Sequence, residues 1–81
     1  MSTTHDLKSW TKSFAAITEG DKRADFRNND RCFFEGDVLI FREFDPEKGE
    51  FTGKRAIREA SYVEEGPEWG IPAGFALVHF R

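Results

Sequence analysis

A chain of 81 residues with net charge −3 has room for one domain, residues 1–81. It buries only about 60% of its unfolded surface, so the core must be efficient. Aromatic residues supply that core: they are 15% of the chain, nine of them Phe, and each large ring removes on the order of 150–250 Å² from water. The composition excludes a membrane span, an internal disulfide (Cys32 is the single cysteine) and the broad basic stripe that duplex DNA demands. With no secretory signal in the first residues, the expected setting is cytoplasmic.

In chain order, Thr4–Lys8 reads as a brief extended strand. Trp10, Phe14 and Ile17 then recur at i, i+4 and i+7, widened by Ala15 and Ala16, which predicts a helix over about residues 10–19 with Gly20 as its C′ residue. That stripe assigns Trp10 to the core ahead of any use as a stacking surface. Lys22–Arg27 is the next strand, with Ala24 and Phe26 on one face and Asp25 and Arg27 on the other. Val38–Phe44 is apolar on both faces, the pattern of a central strand. Asp45-Pro46-Glu47-Lys48-Gly49 is turn chemistry, and the chain returns through Glu50–Thr52, a bulge at Gly53 and Lys54–Val63. Residues 64–74, rich in Gly and Pro, form a loop that carries Trp69, and Phe75–Phe80 alternates as the closing strand. Five strands in hairpin rhythm with one short helix predict a mainly β, α+β fold: a small barrel with the helix plugging one side, because closure removes exposed edges.

The densest polar cluster is residues 20–31, with four basic and three acidic side chains, against six basic and ten acidic over residues 32–81. Lys22, Asp25 and Arg27 there fit two readings. They form a clamp for a polar planar ligand such as a nucleobase, or Asp25 and Arg27 make a plain structural ion pair. Two histidines and one cysteine at unrelated spacings give no metal site, and no cofactor motif is present. Trp69 suits either a lid or stacking residue on its loop or packing over a barrel end.

The collinear run His5-Asp6-Leu7-Lys8-Ser9-Trp10, Gly20-Asp21-Lys22, Arg27-Asn28-Asn29-Asp30-Arg31, Gly36-Asp37-Val38-Leu39 and Asp45 to Gly53 resembles the ASCH-like domains of the PUA-like superfamily, nearest a small bacterial and phage branch. The resemblance implies a PUA-like five-stranded mixed β-barrel with one short helix after the first strand and a cleft between helix and sheet. The group's signature is G-x-K-x-x-E-x-R; Gly20, Lys22 and Arg27 stand in register, with Asp25 in place of Glu. Members are proposed to bind RNA or modified bases, which makes Lys22, Asp25 and Arg27 candidate ligand-binding residues; Lys8 beside the cleft and the stacking surfaces of Trp10 and Trp69 join them as candidates on their own chemistry. In that cleft Arg27 would supply bidentate donors, Asp25 would accept from an exocyclic amine, and Lys22 would contact a phosphate or carbonyl oxygen.

Three functions follow as expectations. The first is a module that binds RNA or a modified nucleobase. The second is an N4-acylcytidine-type amidohydrolase or a ribonuclease, with Lys22 and Asp25 as the catalytic candidates. The branch that cleaves N4-acetylcytidine carries its Thr at the position of Asp25, so the hydroxyl nucleophile is missing, and the reading leans away from an enzyme. The third is a protein-interaction module of the kind that serves as a phage accessory.

Overall fold

His5, Leu7 and Ser9 alternate with Thr4, Asp6, Lys8 and Trp10. In the computed structural model this parity carries strand β1 through Thr4–Trp10, the first set buried and the second exposed. The structure describes residues 2–29 and 32–81; Asp30 and Arg31, the end of the predicted charged cluster, lie outside them. Because β1 extends to Trp10, the helix α1 starts only at Thr11 and runs to Thr18. Trp10 therefore leaves the helical stripe and stands outside the core, 59% exposed, as strand parity dictates. Phe14 and Ile17 keep their predicted burial. Gly20, at φ +83°, ends the helix as expected: the Gly20 N–H donates to the Ile17 carbonyl and the Asp21 N–H to the Ala16 carbonyl, the paired bonds of a Schellman cap.

The remaining strands are β2 (Ala24–Asn28), β3 (Val38–Asp45), β4 (Glu50–Glu65) and β5 (Phe75–Phe80). They form a five-stranded mixed sheet in the order β1-β3-β4-β5-β2, with β1 parallel to β3 and the other neighbours antiparallel. β3 is central in its half, as its apolar run implied, with Leu39 and Phe41 fully buried. The Asp45 carboxylate accepts from the Glu47 and Lys48 N–H groups and fixes the predicted turn. The register of β3 against β4 shifts between Arg42 and Phe44, opposite Gly53. A further shift between Ala60 and Tyr62 brings Val63 against the core. Those bends curl the long β4 so that both half-sheets face one core of Leu7, Phe14, Ile17, Leu39, Phe41, Val78 and Phe80. No strand pairing joins β1 to β2 among the described residues, so the sheet remains open at these two edges. No described helix is long and apolar enough to cross a membrane.

β2 reverses the ordinary hydrophobic logic. Asp25 lies opposite Val78 and Arg27 opposite Ala76, both core residues of β5, so the charged face of β2 points inward. Phe26 points out and stacks on Phe75, with ring centroids 5.2 Å apart.

A second buried polar contact fastens the start of β1. His5 lies in the core, its Nε2 2.8 Å from Asp37 Oδ2 and its ring 4.5 Å from that of Phe33. The Thr3 and Phe34 N–H groups also donate to the Asp37 carboxylate. Burial pushes the Asp37 carboxyl up, but the Thr3 N–H, the His5 ring and the Phe34 N–H together outweigh it and hold the group below its ordinary value of 3.8. A lowered folded-state pKa contributes stability that is present above the unfolded value and lost as pH falls through the folded one. The wild type should therefore lose stability below pH 3.8, and Asp37→Asn should lack that part of the slope while being weaker at neutral pH, as checked by urea denaturation across an acid series.

Candidate cationic seam

The open edge between β1 and β2 is where the sequence-predicted residues meet. Gly20 turns the chain out of α1, and Lys22 reaches back along the helix to place its ammonium 2.8 Å from Asp25 Oδ1 and 2.6 Å from Ser13 Oγ. Arg27, on the same inward face of β2, donates from Nε to Asp25 Oδ2. Its Nη2 donates to the Lys8 carbonyl on β1 at 2.8 Å. A carboxylate only 7% exposed is thus held by two cations from either side, and one of those cations reaches across the gap between the edge strands. Side chains, not a backbone ladder, span this seam.

Lys22, Asp25 and Arg27 therefore form one linked group rather than an isolated ion pair. Lys8 joins it through its carbonyl; its ammonium lies on the outer face of β1, 4.6 Å from the centre of the Phe44 ring. Beside Lys22 is a shallow hollow of about 410 Å³ bounded by Trp10, Lys12, Ser13 and Ala16, so the indole that leaves the core becomes a wall of this hollow. Trp69 is not part of it. It sits 80% exposed in the turn Glu68–Gly70 after β4, in the left-handed region at φ +57°. That loop is set by Gly66, where a Cβ would come within 2.0 Å of the Pro72 carbonyl oxygen.

A second hollow of about 260 Å³ lies at the far side of Lys22, with Arg23, Arg58 and Arg81 over a floor of Ile17 and Phe80. Sequence reasoning missed Arg58 and Arg81. The signal was strand parity, which places Arg58 on the same inward face of β4 as Ala56 and Ala60. Arg58 and Arg23 donate to the Ile17 and Gly20 carbonyls and so neutralise the helix C-terminus. His79 Nε2, 2.7 Å from Glu64 Oε1 on the outer face, was likewise not foreseen. The described residues contain no group of side chains able to hold a metal ion.

Residues 4–80 match the family described as Domain of unknown function (DUF3850). The chain belongs to this family. It is also similar to the "Uncharacterized 12.9 kDa protein in GpA 3'region" of Escherichia phage P2, at 36% identity over 69 residues. The match covers 85% of this chain and 62% of the phage protein, so the chain spans about three fifths of that relative's length. Among the described residues of this family member the seam is the most densely connected polar group.

Removing the shared acceptor strands two cations, whereas removing Arg27 leaves Asp25 still paired with Lys22. Asp25→Ala should cost about 2 kcal/mol and Arg27→Ala about 1 kcal/mol. Urea denaturation of both variants should return that order, with both losses kept small because Lys22 and Arg27 are 30% and 26% exposed and can partly hydrate.

Proposed function

We propose that the seam and its adjoining hollow form a binding site for a nucleobase or a short single-stranded RNA. The observation that carries this reading is the juxtaposition of the Lys22–Asp25–Arg27 group with an apolar hollow walled by Trp10. A planar, polar ligand needs an aromatic surface to lie against and a few fixed donors at its edge, and this site offers both. Two of the three ammonium hydrogens of Lys22 are engaged by Asp25 and Ser13, leaving one for a carbonyl or phosphate oxygen. Arg27 retains Nη1. Both Asp25 oxygens already accept from cations, so in this reading Asp25 positions Lys22 and Arg27 rather than accepting from the ligand itself.

The finer family reading belongs with this proposal. Gly20 at the helix cap, Lys22 and Arg27 in the seam and Asp25 between them support an ASCH-like, PUA-like relationship, in which the open sheet is a barrel whose last seam is bridged by side chains. Use of the module inside a cell, with Cys32 reduced, accords with that reading. Lys22 is engaged as a donor to Asp25 and Ser13 rather than presented as a base, which favours binding over amide hydrolysis.

Isothermal titration with nucleosides and short RNAs tests the site. Lys22→Ala and Trp10→Ala should each weaken binding by roughly tenfold, in line with a stacking contribution of about 1–3 kcal/mol for the indole. Arg27→Ala should weaken it in a domain that still folds. Unchanged affinity in folded Lys22→Ala and Trp10→Ala proteins would remove the proposal, and release of acetate from N4-acetylcytidine, read by mass spectrometry, would replace it with hydrolysis.

A further inference from the structure

The register of β1, β3 and β4 assembles two rows of side chains that the sequence keeps far apart. Lys8 lies opposite Arg42, and Arg42 opposite Arg55, so three cations stand in a line across three neighbouring strands. One step along, Trp10 lies opposite Phe44, and Phe44 opposite Phe51. Neighbouring strands are about 4.8 Å apart, so each row spans roughly 10 Å. The register shift between the rows displaces β4 by two residues, which keeps Arg55 and Phe51 on the same face as their partners.

The cation row is not explained by folding. Like charges directly opposite one another across strands are destabilising. Among the described residues none of Lys8, Arg42 and Arg55 is in an ion pair. Two of the three rest on the aromatic row: Lys8 Nζ is 4.6 Å from the Phe44 ring centre and Arg42 Cζ 4.2 Å from that of Phe51. The two rings meet edge to face at 5.1 Å. Trp10 and Phe51 remain 59% and 43% exposed, and a hollow of about 210 Å³ bounded by Arg42, Phe51 and Arg55 adds Lys54 as a fourth cation.

We infer that this outer face of β1, β3 and β4 binds single-stranded nucleic acid, with backbone phosphates along Lys8, Arg42 and Arg55 and bases against Trp10, Phe44 and Phe51. Charge complementarity selects a polyanion. The adjoining aromatic row selects one with exposed flat faces, which a single strand has and a paired duplex does not. With an overall charge of −3, the chain draws such a ligand only where cations cluster, as they do on this face. Trp10 belongs both to the aromatic row and to the hollow beside Lys22, so the face extends the proposed site, but the inference rests on the register and stands if the seam binds nothing.

Fluorescence anisotropy with labelled oligouridine and oligothymidine, across a salt series, tests it on the full chain. The wild type should bind both. The double variant Arg42→Gln/Arg55→Gln should bind about tenfold or more weakly at moderate salt, with the slope of log affinity against log salt reduced by about 1.4, since each lost phosphate contact removes about 0.7. Its melting temperature should stay close to that of the wild type, because relief of the like-charge pair offsets the lost Arg42–Phe51 contact. Phe51→Ala should weaken oligomer binding while leaving inorganic polyphosphate binding unchanged. Failure of the wild type to bind either oligomer, or an unchanged affinity and salt slope in the folded double variant, would overturn the inference. So would equal affinity for polyphosphate and oligouridine, or capture of an acidic protein without oligomer binding. A seam that takes no nucleoside leaves the dependence on Arg42 and Arg55 intact, so the two proposals fail separately.

Discussion

Asp25 is the residue on which the arrangement around the seam turns. Its carboxylate is buried in a strand whose inward face would ordinarily be apolar, and taking an isolated carboxylate out of water is costly unless cations and hydrogen-bond donors replace the lost solvent. Lys22 and Arg27 do so from opposite sides, and each brings a second element with it. Lys22 ties the first turn of α1 to β2 through Ser13, and Arg27 ties β2 to the β1 backbone at Lys8. The edge strands of an open sheet would otherwise present unpaired backbone groups to one another. A charged group that bridges them also keeps donors at the surface, so the seam that holds the molecule together is also the one proposed to meet a ligand.

The His5–Asp37 contact does a different job with similar chemistry. It lies wholly inside the protein, accepts backbone N–H groups on both sides and joins the start of β1 to the turn before β3. The parallel pairing of β1 with β3 is long-range, and this contact fixes where it begins. The two buried carboxylates thus separate by access: Asp37 meets only its own fold, whereas Asp25 sits beneath cations that solvent reaches.

The aromatic residues divide in a related way. Phe14, Phe33, Phe41 and Phe80 make the core, while Trp10, Phe26, Phe34, Phe51, Tyr62 and Trp69 are exposed. A domain this small would be expected to spend its large rings on burial. Six stand outside instead, Phe51 among them with the Arg42 guanidinium against its ring.

Much of the architecture was legible in the sequence. The apolar run at Val38–Phe41 marked the central strand, Asp45 to Gly49 the hairpin, Gly20 the helix end, and Phe75–Phe80 the last strand, because turn chemistry, periodicity and caps are local properties. The grouping of Lys22, Asp25 and Arg27 was legible too, since it needs only a helix end and one strand. Trp10 was misread because it fits a helical stripe and a strand's alternation equally well, and only the pairing of β1 with β3 decides between them. Which face of β2 turns inward was likewise not a local matter: Asp25 goes in because Val78 and Ala76 are its neighbours on β5 and cations wait on either side. The sequence by itself determined the elements and their turns; the tertiary structure alone decided the register that lines Lys8 with Arg42 and Arg55, because residues far apart in the chain become neighbours only through strand pairing.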